Sequence, residues 1–334
     1  MKKQNEKKKR TWKRLVIAGG VLLIGAAAAC YAVGDFFVSY ALKRNEIVLS
    51  EGSSDPEDQA EIDALLGSGY WKELNEEKDR WLEETEMEVV SITSKDNLTL
   101  KAEYAAKEDS HQWAILIHGY MSNRQSMETY AMTYEKNGYH VLLPDNRTHG
   151  ESEGEYIGMG WLDKEDIKLW IQWLIEKDPE AQIVLHGVSM GGATVMMLSG
   201  DEDVSKQVVG YVEDCGYTSV WDIFAKELKL RFSLPTFPVL DISSLYAKLF
   251  VGYDLKEASA QKQVAMNERP MLFIHGAEDD FVPTDMVYEV YEAASCEKEL
   301  YVVEGAGHAG ALSTDPAKYW ETVFGFLEEK CGLE

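Results

Sequence analysis

From Met87 onward the chain alternates short apolar runs with stretches whose apolar positions recur every three or four residues. The apolar runs are Glu88–Thr93, Leu98–Tyr104, Trp113–His118, His140–Pro144, Gln182–His186, Val208–Glu213, Met271–His275 and Leu300–Val303. Lys95-Asp96-Asn97 separates the first two and predicts an antiparallel hairpin. Between later runs lie helical spacings such as Lys164–Lys177, with Ile167, Trp170, Ile171 and Leu174 on one stripe. Buried strands alternating with amphipathic helices predict an α/β fold: an eight-stranded, mostly parallel sheet with helices on both faces. Residues 216–268 break the rhythm, with no strand pattern but many aromatic and aliphatic side chains. They are expected to form a small helical cap insertion; extra helices at the sheet edge are the competing reading.

Two segments precede this domain. Leu15 to Gly34 carries no charged residue, and twenty residues of helix span about 30 Å, the thickness of a bilayer's hydrocarbon core. Residues 1–14 hold eight Lys or Arg against one acid, Glu6. This predicts a basic cytoplasmic tail (1–14), a transmembrane signal anchor (15–34) and everything beyond it outside the cell membrane. Two other readings compete. Ala27-Ala28-Ala29 offers small residues for signal-peptide cleavage and secretion, and Cys30 offers a site for lipidation. Residues 35–86 read as an acidic spacer with short helices, Glu57–Leu66 and Tyr70–Glu84, the second carrying Trp71, Leu74 and Trp81 on one face.

Composition adds exclusions. The net charge is −25, and removing the +7 of the first fourteen residues leaves about −32 for the rest. Such a body repels phosphate backbones, so no nucleic-acid partner is expected. The four cysteines (Cys30, Cys215, Cys296, Cys331) form no CxxC pair and have no histidine at ligand spacing, so no metal is expected. They read as buried free thiols, with a Cys296–Cys331 disulfide as the extracytoplasmic alternative. Oligomeric state is not encoded in any pattern of the chain.

The chemistry-bearing residues fall in three places. Gly187-Val188-Ser189-Met190-Gly191 follows an apolar run and opens a helical one, the context in which G-x-S-x-G builds a nucleophile turn. Small neighbours allow the tight turn, and the amides that begin the helix favour an oxyanion. His118-Gly119-Tyr120 follows an earlier strand and offers the second donor, so the Tyr120 and Met190 amides are the expected oxyanion hole; His118 itself reads as shaping the loop. Asp279 follows the Met271–His275 run within H-G-x-x-D-x-x-V-P and is the expected orienting acid, with Glu278 and Asp280 as solvated neighbours. His308, in Gly305-Ala306-Gly307-His308, follows the last run and is the expected base. Asp145–Ser152 reads as a hydrogen-bonding network that supports these loops. Met121, Trp161, Phe224 and Phe281 are the candidate pocket wall.

At HGYMSN (118–123), DNRTHGES (145–152), HGVSMGG (186–192), HGAEDDFVP (275–283) and GAGH (305–308) the chain resembles the α/β-hydrolase superfamily, in its serine aminopeptidase-like and lysophospholipase-like group. The resemblance covers roughly residues 87–330 and extends to bacterial membrane-anchored hydrolases. It implies an α/β-hydrolase catalytic domain (87–334) that cleaves a carboxylic ester or thioester of a small-molecule acyl substrate through an acyl-enzyme. It implies neither metal nor cofactor. Two alternatives stand beside it: a peptidase or amidase of the serine aminopeptidase type, and a catalytically idle binding protein on the same fold.

Overall fold

The computed structural model describes residues 2–44, 69–107 and 110–333. A long helix, α1 (Lys2–Leu42), comes first, and α2 (Gly69–Glu84) precedes the sheet. The strands are β1 (Glu88–Thr93), β2 (Thr99–Ala105), β3 (Gln112–Ile117), β4 (His140–Pro144), β5 (Gln182–Val188), β6 (Val208–Asp214), β7 (Met271–Gly276) and β8 (Lys298–Val303). Interleaved with them are α3 (Glu128–Lys136), α4 (Asp163–Lys177), α5 (Met190–Ser199), α6 (Val220–Phe232), α7 (Thr236–Phe250), α8 (Ala260–Val264), α9 (Asp285–Ala293), α10 (Ala311–Thr314) and α11 (Pro316–Cys331).

The sheet has the expected eight strands, in the order β1-β2-β4-β3-β5-β6-β7-β8. β2 is antiparallel to both β1 and β4, and the other neighbours are parallel. The predicted hairpin is present, with Thr93 opposite Thr99. Because side chains alternate along a strand, a sheet covered on both faces must be apolar at odd and even positions alike. β3 meets that demand: Ile115 and Ile117 join the core under α4 and α5, while Ala114 and Leu116 join the core under α3 and α11.

The N-terminal organisation differs from the expectation in one respect. Leu15–Leu42 is long and apolar enough to cross a membrane, and the helix does not stop at Gly34. Residues 35–42, expected to be spacer, continue α1 and end against the core of the sheet-bearing domain. Val38 and Leu42 are buried in the first core, and the Leu42 carbonyl accepts from the Ile157 amide at 2.7 Å. Asp35 looks like a terminator by charge, yet its carboxylate accepts the Tyr246 hydroxyl at 2.7 Å, which makes the residue an interhelical contact. The α2 helix matches its prediction, and Trp81 is buried against the second core. The proposed Glu57–Leu66 helix lies outside the described residues.

The stretch between β6 and β7 is helical, as expected, and supplies α6, α7 and α8. α7 packs along α1 so closely that a Cβ on Gly34 would sit 2.6 Å from the Tyr246 Cβ. All four cysteines are free thiols, Cys296 and Cys331 included. Cys215 is buried, Cys296 and Cys331 half-buried, and Cys30 exposed on α1.

Candidate active site

Ser189 stands between β5 and α5 with φ 57° and ψ −116°, a conformation an L-residue holds only under constraint. The constraint comes from both sides of the turn. The Ser189 amide donates to the Asp214 carbonyl at 2.7 Å, tying the turn to β6. A Cβ on Gly187 would lie 2.1 Å from the Gly191 carbonyl oxygen, and one on Gly191 would lie 2.0 Å from the Ile117 oxygen. Neither position has room for any other residue, which explains the two flanking glycines.

His308, on the loop after β8, brings Nε2 to 2.9 Å from the Ser189 Oγ. Its Nδ1 is 2.7 Å from the Asp279 Oδ2. Since Asp279 is an acceptor, His308 carries its proton on Nδ1 and leaves Nε2 bare toward the serine hydroxyl. Asp279 is fully buried, whereas its neighbours Glu278 and Asp280 are exposed. Its Oδ1 accepts the Phe281 amide at 3.0 Å and the Val282 amide at 2.8 Å. Burial works against its charge, but His275, His308 and the Val282 amide outweigh burial and hold the carboxyl at about 2.

His275 is a partner of Asp279 that sequence reasoning did not assign. Its Nε2 donates to the Val282 carbonyl at 2.9 Å and lies 3.3 Å from the Asp279 Oδ2. The signal was present, since His275 at a strand end stands four residues before the acid. Behind the serine turn, β6 ends in Glu213 and Asp214, both fully buried. Burial pushes Glu213 to about 8 and Asp214 to about 6, the latter despite a 2.8 Å bond from the Tyr319 hydroxyl. Acids closing an apolar strand were visible in the sequence and went unassigned. Cys215 lies within 4.8 Å of the Asp279 and His308 donor atoms, and burial pushes its thiol well above its ordinary value.

Tyr120 and Met190, the residues expected to donate their amides, each adjoin the serine turn: Met190 follows Ser189 directly, and Tyr120 follows Gly119. Met190 is the first residue of α5, so its N–H has no carbonyl of its own helix to meet. Gly119 lies against Ser189, with a Cβ there only 3.3 Å from the Ser189 Cβ, and Tyr120 follows it. The Tyr120 hydroxyl donates to the Ala41 carbonyl at 2.6 Å, joining this loop to the last turn of α1. Burial pushes that phenol to about 12, so it stays a donor. His118 behaves as expected: Nε2 accepts the Asn146 amide at 3.0 Å, Nδ1 donates to the Gly119 carbonyl at 2.8 Å, and burial pushes the imidazole to about 3.

The 145–152 segment is a support network. Asp145 is ion-paired with Arg124 and accepts the Arg124 amide at 2.9 Å. Arg147 grips Asp166 at 2.7 and 2.8 Å, and His149 Nε2 accepts the Met121 amide at 3.1 Å. Of the pocket candidates, Phe281 packs its ring 4.8 Å from the His308 ring, and Met121 follows Tyr120 in a left-handed turn. Trp161 lies under the Lys164 ammonium at 3.9 Å. Among the described residues neither it nor Phe224 makes a hydrogen bond or ring contact with the trio. A further tie missed by sequence reasoning is Lys226 of α6, whose ammonium donates to the Asp280 carbonyl and, at 2.7 Å, to the Phe281 carbonyl.

The family described as serine aminopeptidase, S33, matches residues 108–233. The chain is similar to YqkD, an uncharacterised protein of Bacillus subtilis, with 29% identity over 247 residues covering 74% of this chain and 81% of that one. Its structure resembles the Pyrococcus furiosus esterase Pf2001 with a TM-score of 0.62 and 25% identity, over 75% of this chain and 94% of the esterase. It shares its fold with Pyrococcus horikoshii acylaminoacyl peptidase, TM-score 0.56 and 18% identity, over 75% of this chain and 42% of the peptidase.

Proposed function

We propose that this chain, which has the α/β-hydrolase fold, is a serine esterase working through an acyl-enzyme. The observation that carries the reading is the unbroken relay from Ser189 Oγ through His308 to Asp279, at 2.9 and 2.7 Å. His308 Nε2 takes the serine proton as Oγ attacks the ester carbonyl. The Tyr120 and Met190 amides receive the oxyanion, and Asp279, ionised at any working pH, stabilises the imidazolium. His308 then protonates the leaving alcohol, and later draws a proton from water to release the acid. Met121 and Phe281 form the near wall of the substrate pocket, with Trp161 and Phe224 farther out, and 216–268 serves as the cap.

The same relay cleaves an amide, and the serine aminopeptidase family match favours a peptidase as the second reading. The N-terminal 1–14 tail stays in the cytoplasm in this proposal. The α1 helix then spans the cell membrane through 15–34 and delivers 35–334 to the outer side; the eight cations before the span support that orientation.

The test is hydrolysis of p-nitrophenyl esters, from acetyl to palmitoyl, and of aminoacyl and peptidyl anilides, by the native chain and Ser189→Ala. Ester turnover reduced at least about a thousandfold by the substitution, with unchanged unfolding, is the expected result. Anilide turnover without ester turnover selects the peptidase. No turnover of either class, together with no fluorophosphonate labelling at Ser189, selects a binding protein on a hydrolase fold.

A further inference from the structure

The α6–α7 hairpin exposes a run of large apolar side chains. Phe237 is 75% exposed, Leu249 67%, Leu230 66% and Leu245 58%, and Phe250 is half uncovered. Five large exposed apolar side chains in one hairpin are the composition that marks an interaction site. What covers it is indicated by the helix it packs on. The α7 residues Tyr246 and Phe250 stack edge-on against Tyr31 of α1, with ring centroids 5.5 and 5.7 Å apart. Tyr31 lies three residues inside the end of the charge-free stretch, or about 5 Å along the helix axis. The last turn of α7 therefore lies beside the outer end of the proposed span, at the depth where amphipathic helices bury an apolar face of about 5–10 Å in the lipid boundary.

Two further observations point the same way. Phe36, Phe37 and Tyr40 of α1 gather around Phe232 of α6, giving the aromatic belt found at a membrane–water interface. Charge also fits. In a body of about −32, residues 220–250 carry Lys226, Lys229, Arg231 and Lys248 against Asp222, Glu227 and Asp241. The hairpin, with four cations against three anions, is thus a part of this acidic body that anionic lipid does not repel.

We propose that the exposed face of α6–α7 seats in the outer lipid surface beside α1, and that the active site takes its acyl ester from that surface. The second half rests on the serine esterase reading above. From Tyr31 to Ala41, where the Tyr120 hydroxyl meets α1, is ten residues or about 15 Å of helix. An ester whose acyl chain begins in the bilayer can then reach Ser189 along the α1–α6 seam, past Tyr40 and Tyr120, without its whole apolar part crossing water.

The experiment uses the full chain reconstituted in vesicles of phosphatidylcholine and phosphatidylglycerol. A photoreactive benzoylphenylalanine replaces Leu249, and in a second preparation Tyr288, which is exposed on α9. Lipid crosslinking at 249 at least about tenfold above that at 288 supports docking, and equal yields overturn it. The paired variant Leu245→Gln with Leu249→Gln is then assayed. Turnover of p-nitrophenyl palmitate dissolved in the vesicles is expected to fall about tenfold while that of water-soluble p-nitrophenyl acetate stays within about twofold. Equal effects on the two esters overturn the lipid-delivery half. If the unsubstituted chain turns over neither ester yet crosslinks at 249, the esterase reading fails and the docking face stands.

Discussion

Replacing Asp279 by Asn separates what this residue does for chemistry from what it does for stability. Oδ1 is fixed by the Phe281 and Val282 amides at 3.0 and 2.8 Å, so the asparagine oxygen must keep that side. Its NH2 group then takes the place of Oδ2, facing His308 Nδ1 at 2.7 Å and the protonated His275 Nε2 at 3.3 Å. A donor there turns His308 to the other tautomer, with the proton on Nε2 pointing at Ser189. The base is blocked while the geometry survives. A tautomer block of this kind lowers kcat by about 10⁴, or about 5.5 kcal/mol of barrier.

The stability effect follows from the ionisation of Asp279. Its pKa falls from 3.8 to about 2 in the folded protein, which corresponds to about 2 kcal/mol of stability. Because the folded value is the lower one, that stability is present above about pH 4 and is lost as pH falls through about 2. Asp279→Asn is therefore expected to lose about 2 kcal/mol at pH 7 and to abolish this acid-side slope. Urea unfolding at several pH values reads the second effect, and initial ester rates with fluorophosphonate labelling read the first. Activity within about tenfold of the native chain would refute the tautomer argument, whatever happens to stability.

Two further outcomes are expected from parts of the molecule outside the relay. Glu213 holds its proton up to about pH 8 because it is buried, and one of its oxygens has no partner. An acid with a raised folded pKa gives full stability below its unfolded value near 4.5 and loses it as pH climbs toward 8, by a few kcal/mol here. Glu213→Gln should therefore raise Tm at pH 8 more than at pH 5, and a Tm change independent of pH would contradict this. Removing residues 1–44 should be far worse than removing 1–30. The longer deletion takes away buried Val38 and Leu42, about 1.5–3 kcal/mol each, and the Ala41 carbonyl that holds Tyr120. Ester turnover and unfolding of the two truncated chains, compared directly, check this.

The elements of the sheet were readable because their physics is local. A strand buried on both faces must be a short apolar run, and each predicted run starts or ends within two residues of β1–β8. The relay was readable for a related reason. A serine on a strained turn needs Gly187 and Gly191, and the loop that carries His308 needs small neighbours, so the chemistry leaves its steric requirements in the adjacent sequence. What escaped notice depends on partners distant in the chain. Asp35 ended the predicted span by the only local criterion available, charge, and nothing nearby reveals that Tyr246, 211 residues away, donates its hydroxyl to it across a helix packing. The same holds for Ala41, a residue without functional atoms of its own. Its backbone carbonyl is the group that meets Tyr120, and a carbonyl has no sequence signature. His275 is the intermediate case: its spacing of four from Asp279 was visible, but the turn that folds its imidazole back onto the carboxylate depends on the Val282 carbonyl. The last turn of α1, the loop bearing Tyr120 and the acid loop thus form one connected support around Ser189. Its consequence is physical: an α1 that only tethered the domain would be replaceable by any span, whereas an α1 whose last turn carries the Tyr120 bond is part of the site.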